Sequence, residues 1–246
     1  MSSNERSIFV AGMVLRLSDD IKKLSPPDSQ FMIPRNLKDK LEQSVMAVIT
    51  SPNIDAYVTA QLATQRVMRM LAQHPEWGFT ADVANDRHKS DTVKRAVDNR
   101  LTDRRSVIKG LIAKSAGLAV DKKTGLGVAD RDIISLCRAI NGLMKGYNAT
   151  ITLPMCARVA FLRNLYVTSV DNRGDGYWSF VDESLLSLRN MFGQKVDGAK
   201  QITATFMNIL EEDLKTYGGR DLVDGVSATL ANAPEIQQLG DLAAMC

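Results

Sequence analysis

The sequence predicts an all-α protein, a bundle of roughly ten helices, from three observations. Apolar residues recur every three or four positions through most of the 246 residues, the period of one helix face. Alternating β-branched runs of the kind that form strands are nearly absent. The stretches between periodic segments are short, about two to ten residues, as in helical bundles.

Taken in order, Ile8, Phe9, Val14, Leu17, Ile21 and Leu24 form a first stripe, ended by Ser25-Pro26-Pro27. Leu41, Val45, Val48 and Ile49 form a second, ended by Pro52. Asn53 is placed to cap a third, carrying Tyr57, Leu62, Val67 and Leu71 and stopping before His74-Pro75, because a residue before proline avoids the α region. Ser90 is the expected cap of a helix with Val93, Val97 and Leu101. Thr102 or Asp103 then opens another, with Val107, Ile108, Leu111 and Ile112 inward and an end near Gly117.

Asp130 is expected to cap a helix bearing Ile133, Ile134, Cys137, Ile140 and Leu143, with a stop at Gly146. Thr152 with Pro154 opens the next, carrying Val159, Leu162 and Leu165; proline suits a first turn that needs no donor. A loop over 169–176 precedes a helix over 181–192. A longer one through Ile202, Phe206, Ile209 and Leu214 runs to Gly218-Gly219, and two short ones cover 222–230 and 234–244. The polar turn 121–127 is the best candidate boundary, dividing the chain into helical lobes 1–118 and 128–246. A single continuous domain is the equal alternative.

Charge is the main pointer to function. The chain carries 31 Lys/Arg and 28 Asp/Glu, a net +3. Residues 87–114 alone hold nine Lys/Arg against three Asp, a local +6. Such a basic segment, threaded with apolar residues at helical spacing, is the pattern of a polyanion-binding surface. The residues expected to contact phosphates are Arg87, Lys89, Lys94, Arg95, Arg100, Arg104, Arg105 and Lys109. A helix-turn-helix with Arg104 and Arg105 opening its second helix is the sharper form, against a short connection that lacks the usual glycine. The competing expectation is a solvated face on which Asp98 and Asp103 pair with Lys94, Arg95 or Arg104. Trp77 and Phe79 either flank such a groove as base-stacking aromatics or plug the core.

Catalytic motifs are missing. The two histidines, His74 and His88, have no metal-ligand spacing, and His74 reads as a helix C-terminal residue facing carbonyls. No GxSxG occurs, and the lone GxG after Lys123 lacks a preceding strand and a following GKS/GKT. The run from Asp171 imitates a calcium loop through Asp175, Gly176 and Asp182, but Arg173 stands where a ligand oxygen is needed. Arg173-Gly174-Asp175 also matches the integrin tripeptide and reads as a simple turn. Tyr177, Trp178 and Phe180 read as the start of a buried helix, with an exposed self-association patch as the alternative. Glu211-Glu212-Asp213 reads as a solvated face, and Cys137 and Cys156 as core residues.

The sequence therefore predicts neither enzyme nor metal nor cofactor. Cys137, Cys156 and Cys246 are widely spaced, which points away from a disulfide framework and toward a reducing compartment, cytoplasmic or nuclear. The N-terminal run is broken by Arg16 and does not read as a signal peptide, and no window is apolar enough to span a membrane. The expected partner is nucleic acid, RNA before DNA. Apolar segments at both ends offer a route to homo-oligomers by arm exchange, unless they pack on their own core. In gross layout the chain is similar to nucleocapsid-type proteins that coat RNA, with no shared motif. The alternative is a helical interaction or scaffold protein whose basic face docks an acidic protein.

Overall fold

The structure is a computed structural model that describes Met13 and residues 31–118, 131–144, 149–221 and 223. Met1–Ile33 and Pro34–Cys246 separate as two compact units, and the helices that follow belong to the second. The described residues are all-α, with eight α-helices, short 3-10 turns and no strand. The expected stripe from Ile8 to Leu24, the turn 121–127, the cap Asp130, the stop at Gly146 and the helices over 222–230 and 234–244 lie essentially outside them.

Helices α1 (Arg35–Thr50), α2 (Leu62–Gln73) and the short α3 (Ala81–Asn85) pack on α4, Arg87–Ser115. Helices α5 (Ile133–Asn141), α6 (Leu153–Thr168), α7 (Tyr177–Phe192) and α8 (Gly198–Tyr217) follow. Expected end signals hold at several places. Thr152 caps α6, its Oγ1 accepting the Met155 N–H at 3.3 Å, with Pro154 in the first turn. Helix α2 stops at Gln73, one residue short of His74-Pro75. Past α8, Gly218 and Gly219 adopt φ of 78° and 91°, a backbone that favours glycine.

Three elements differ from expectation. The basic segment is one helix of 29 residues, with no turn at Leu101-Thr102-Asp103. Leu101 is buried there, and the Thr102 hydroxyl bonds back to the Asp98 carbonyl within the helix. Its cap is Asp86, whose carboxylate accepts the His88 and Lys89 N–H groups, rather than Ser90. Val107, expected inward, is 44% exposed. Second, Asn53 caps no helix. Residues 51–58 are irregular, and Ala60 and Gln61 take left-handed φ values of 51° and 55° before α2 begins at Leu62. Third, α5 is capped by Asp132, which accepts the Ser135 N–H.

Helix α6 is the centre of the core. Every residue from Met155 to Arg163 is buried, so the helix is enclosed on all sides rather than along the single stripe the periodicity suggests. It packs on α4, α5, α7 and α8. Cys156 on α6 and Cys137 on α5 are both buried and free, as expected of core residues. Their thiols hydrogen-bond to one another, and this bond together with burial holds Cys137 well above the ordinary thiol range.

Arg163, fully buried on α6, forms a two-pronged ion pair with Asp213 on α8 through Nε at 2.8 Å and Nη2. Its Nη1 donates to the Arg131 carbonyl, and its guanidinium lies 4.0 Å from the Tyr217 ring centre. The triplet Glu211-Glu212-Asp213 is thus not a uniformly solvated face. Glu211 and Glu212 pair outward with Arg220 and Lys215, while Asp213 turns into the core. Removing one charge of such a pair leaves the other buried and uncompensated. Asp213→Ala is expected to cost about 3–5 kcal/mol in urea unfolding, whereas Arg163→Met combined with Asp213→Leu comes within about 1 kcal/mol of the parent. Equal losses in the two variants would refute this account.

Candidate functional site

The eight expected phosphate-binding cations all lie on α4, and the structure divides them. Arg100 and Arg104 reach α1, where both meet the Glu42 carboxylate, at 2.5 and 3.2 Å. Arg104 also donates to the Leu143 carbonyl just past the end of α5, at 2.9 Å, which places a cation on the negative end of that helix. Arg105 donates to the Tyr57 carbonyl at 2.5 Å and to the Thr102 hydroxyl, and Lys109 donates to the Gly174 carbonyl at 3.0 Å. Burial lowers the Arg105 guanidinium below the ordinary arginine range. Lys89 pairs with Asp82 at 2.6 Å. These cations tie α4 to its neighbours.

Three on the first half of α4, exposed Arg87 and Arg95 and half-buried Lys94, do not reach a neighbouring helix. Arg87 is almost fully exposed, with the Asp91 carboxylate 3.8 Å away. Arg95 is exposed and, among the described residues, bonds only through its Nε, to the Asp91 carbonyl. Lys94 is half-buried and has no hydrogen bond or ion pair among the described residues. Asp98 does not neutralise Lys94 or Arg95, since it accepts the Thr64 hydroxyl of α2, and Asp103 pairs with Arg100 at 3.6 Å. Phe79 is buried as a core plug. Trp77 is half-buried and stacks on His74 at 4.0 Å with Lys40 above its ring. His74 itself bonds the Glu76 carboxylate at 2.7 Å rather than a carbonyl.

The site that periodicity and charge counting missed is segment 51–59, irregular over 51–58 and ending at the first residue of a 3-10 turn. Its backbone is surrounded by side chains from four helices. The Pro52 carbonyl accepts Arg158 Nε at 3.0 Å and Nη2, and the Asn53 carbonyl accepts Arg66 at 3.1 Å. The Ile54 and Asp55 carbonyls accept Arg189 at 3.4 and 2.7 Å, and Tyr57 accepts Arg105. On the donor side, the buried Asp182 carboxylate accepts the N–H groups of Tyr57, Val58 and Thr59 at 2.6, 2.8 and 2.7 Å. Asp182 is therefore an anchor for this segment and not the last ligand of a calcium loop. Among the described residues no three His, Cys, Asp or Glu side chains are grouped to hold a metal ion.

Arg173, in the integrin-like tripeptide, is likewise engaged within the fold. Its guanidinium donates to the Tyr166 and Val167 carbonyls at 2.8 Å, closing the last turn of α6. Tyr177 and Trp178 are buried at the start of α7 and Phe180 is half-buried, so the three form no exposed patch. The Tyr177 hydroxyl donates to the Leu162 carbonyl, and the Tyr177 ring packs edge-on to Tyr166 while Trp178 packs against Tyr57 and Tyr177.

Beside segment 51–59 a cavity of about 450 Å³ opens between α6 and α8. Arg158 and Arg189 line it, with Asp55 at hand and Leu153, Pro154, Ile202, Phe206 and Met207 as apolar walls. Arg158 also lines a second, water-sized cavity of about 10 Å³ with Tyr57 and Trp178. Tyr57 Oη, Trp178 Nε1 and Arg158 Nη1 are buried without hydrogen-bond partners among the described residues. Burial pushes the Tyr57 phenol up to about 12, the Arg158 charge opposing it.

Comparison with known proteins finds no matching family model, no matching curated protein and no matching solved structure. The reading of function rests on the molecule's own geometry.

The division of the cations has a direct test. Arg104→Met and Arg105→Met each remove bonds to half-buried acceptors and are expected to lower unfolding stability by about 1–3 kcal/mol. Lys94→Met and Arg95→Met, which remove no bond to another helix, should stay within about 0.5 kcal/mol of the parent. Chemical denaturation of the four variants decides it; similar losses throughout would show that the division is not energetic.

Proposed function

We propose that this is a non-enzymatic nucleic-acid-binding protein that contacts phosphates through the first half of α4. The observation that supports it is the spacing of the cations that do not reach a neighbouring helix. Arg87, Lys94 and Arg95 stand seven and eight residues apart on a helix with 100° per residue, so they share one side. Helix α4 as a whole holds nine Lys/Arg against three Asp, an excess partly offset by Glu42 and Asp82 on its neighbours and Asp86 at its cap. Arg supplies a planar fork to a phosphate and Lys a point charge. Such contacts set affinity without reading sequence, so the binding is sequence-tolerant and driven by counterion release.

Arg100, Arg104, Arg105 and Lys109 enter this reading as the supports that hold α4 in place, with Lys89 between the two roles. Self-assembly through the terminal segments, as in nucleocapsid-type coats, and an RNA partner in a cytoplasmic or nuclear setting belong to the same proposal. Among the described residues no helix is long and apolar enough to cross a membrane.

A second reading, a helical interaction protein, draws on a different observation. Leu186 and Met191 on α7 and Val196 just after it are exposed apolar side chains.

Fluorescence anisotropy with single-stranded RNA and double-stranded DNA oligomers at two salt concentrations separates the two. With about three phosphates neutralised, log Kd for single strands should rise with log salt at a slope of roughly 2. The triple variant Arg87→Glu, Lys94→Glu, Arg95→Glu should abolish binding while circular dichroism stays unchanged. No binding at low salt, or binding indifferent to that variant, would overturn the nucleic-acid reading.

A further inference from the structure

Arg158 is a buried cation that makes no direct ion pair among the described residues. Its residue is 7% exposed. Two of its nitrogens serve the Pro52 and Ile54 carbonyls, neutral groups, and Nη1 serves none. Burial lowers it below the ordinary arginine range, with Tyr57 and the more distant Asp55 carboxylate opposing and Arg189 pushing the same way. A guanidinium placed so deep ordinarily has a carboxylate or another anion beside it. Arg163, one turn and a half further along α6, has one in Asp213.

The cavity that Arg158 lines has the size and make-up of a small-molecule site: about 450 Å³, mostly apolar, with a few converging polar groups. Its charged groups are Arg158, Arg189 and Asp55. Arg189 is 3.3 Å from the Asp55 carboxylate and also donates to backbone carbonyls. The lining therefore carries one positive charge in excess, which matches a single negative charge and not the double charge of a phosphate monoester. Phe206 stacks near the Arg158 guanidinium at 4.7 Å, and Leu153, Ile202 and Met207 extend the apolar wall along α6 and α8.

We propose that this cavity binds a monocarboxylate with an apolar body, its carboxylate beside Arg158 and Arg189 and its hydrocarbon against Ile202, Phe206 and Met207. The site is separate from Arg87, Lys94 and Arg95 of α4, so it neither needs nor excludes nucleic-acid binding. A carboxylate there meets a fixed, desolvated guanidinium, the setting in which charge-assisted bonds are strongest. Asp55 competes for Arg189, which keeps the empty and filled sites close in charge balance.

Isothermal titration of the full chain with sodium octanoate, 1-octanol and octyl phosphate tests the proposal. Octanoate should bind at one site about tenfold or more tightly than octanol, the factor expected of one charge-assisted contact, with octyl phosphate no tighter than octanoate. Asp55→Asn should tighten octanoate about threefold or more by releasing Arg189. Met207→Trp, which fills the cavity from its apolar wall, should abolish octanoate binding with the unfolding temperature preserved. Arg158→Met should erase the preference for octanoate over octanol. Because Arg158 also holds segment 51–59, the Asp55 and Met207 variants carry the test if that variant does not fold. Equal affinity for octanoate and octanol, tighter binding of octyl phosphate, no octanoate binding at millimolar concentration, or unchanged binding by Met207→Trp would each overturn it.

Discussion

The described fold turns on one unusual demand: segment 51–59, irregular over 51–58, lies against the core with Ser51, Ile54, Ala56 and Tyr57 buried. Irregular backbone cannot satisfy its own N–H and C=O groups as a helix does, and leaving them unpaired away from water costs about 1–3 kcal/mol each. Here side chains from α2, α4, α6 and α7 do it. Arg66, Arg105, Arg158 and Arg189 cover the carbonyls of Pro52, Asn53, Ile54, Asp55 and Tyr57, and Asp182 covers three successive N–H groups. Arginine suits the task because its rigid fork reaches two acceptors at once and it is more weakly hydrated than an ammonium. Four helices are thereby referenced to one stretch of chain.

That arrangement changes how the charge of the protein is understood. A count of Lys and Arg treats all cations as surface, yet many here are internal fasteners. Arg104 and Arg173 sit on helix C-terminal carbonyls, where the helix dipole favours a cation. Arg163 pairs with Asp213 in the core, and Arg100 with Arg104 grips Glu42. The surface potential relevant to a polyanion comes from the smaller set left over, chiefly Arg87, Lys94 and Arg95. Arg158 belongs to neither group: it is buried like a fastener but makes no direct ion pair among the described residues, which makes the cavity beside it chemically distinct.

Helix boundaries set by neighbours in sequence were legible. Thr152 with Pro154, the stop before His74-Pro75 and the Gly218-Gly219 end all act within a few residues, through a cap bond, a steric clash or a left-handed φ. The apolar period also identified the all-α class and assigned Cys137, Cys156, Val159 and Leu162 to the core. The same local logic failed where a distant partner outweighed it. Asn53 is a good cap, but the carbonyls beside it are claimed by Arg66 and Arg158. Thr102-Asp103 resembles a helix start, yet buried Leu101 and Ile108 on one continuous stripe keep α4 running through.

The candidate sites were legible only in part, for the same reason. Periodicity and composition, properties of adjacent residues, sufficed for the helical class and for locating the basic segment. Which cations face solvent, which brace the core and which border a cavity depends on contacts such as Arg158 with Pro52 and Asp182 with Tyr57, 106 and 125 residues apart. An arginine or aspartate carries no mark in sequence of the backbone group it will meet. Only the packing of α2, α4, α6 and α7 around segment 51–59 brings donor and acceptor within hydrogen-bond reach, and desolvation there turns an ordinary charge into a structural tie or a binding group.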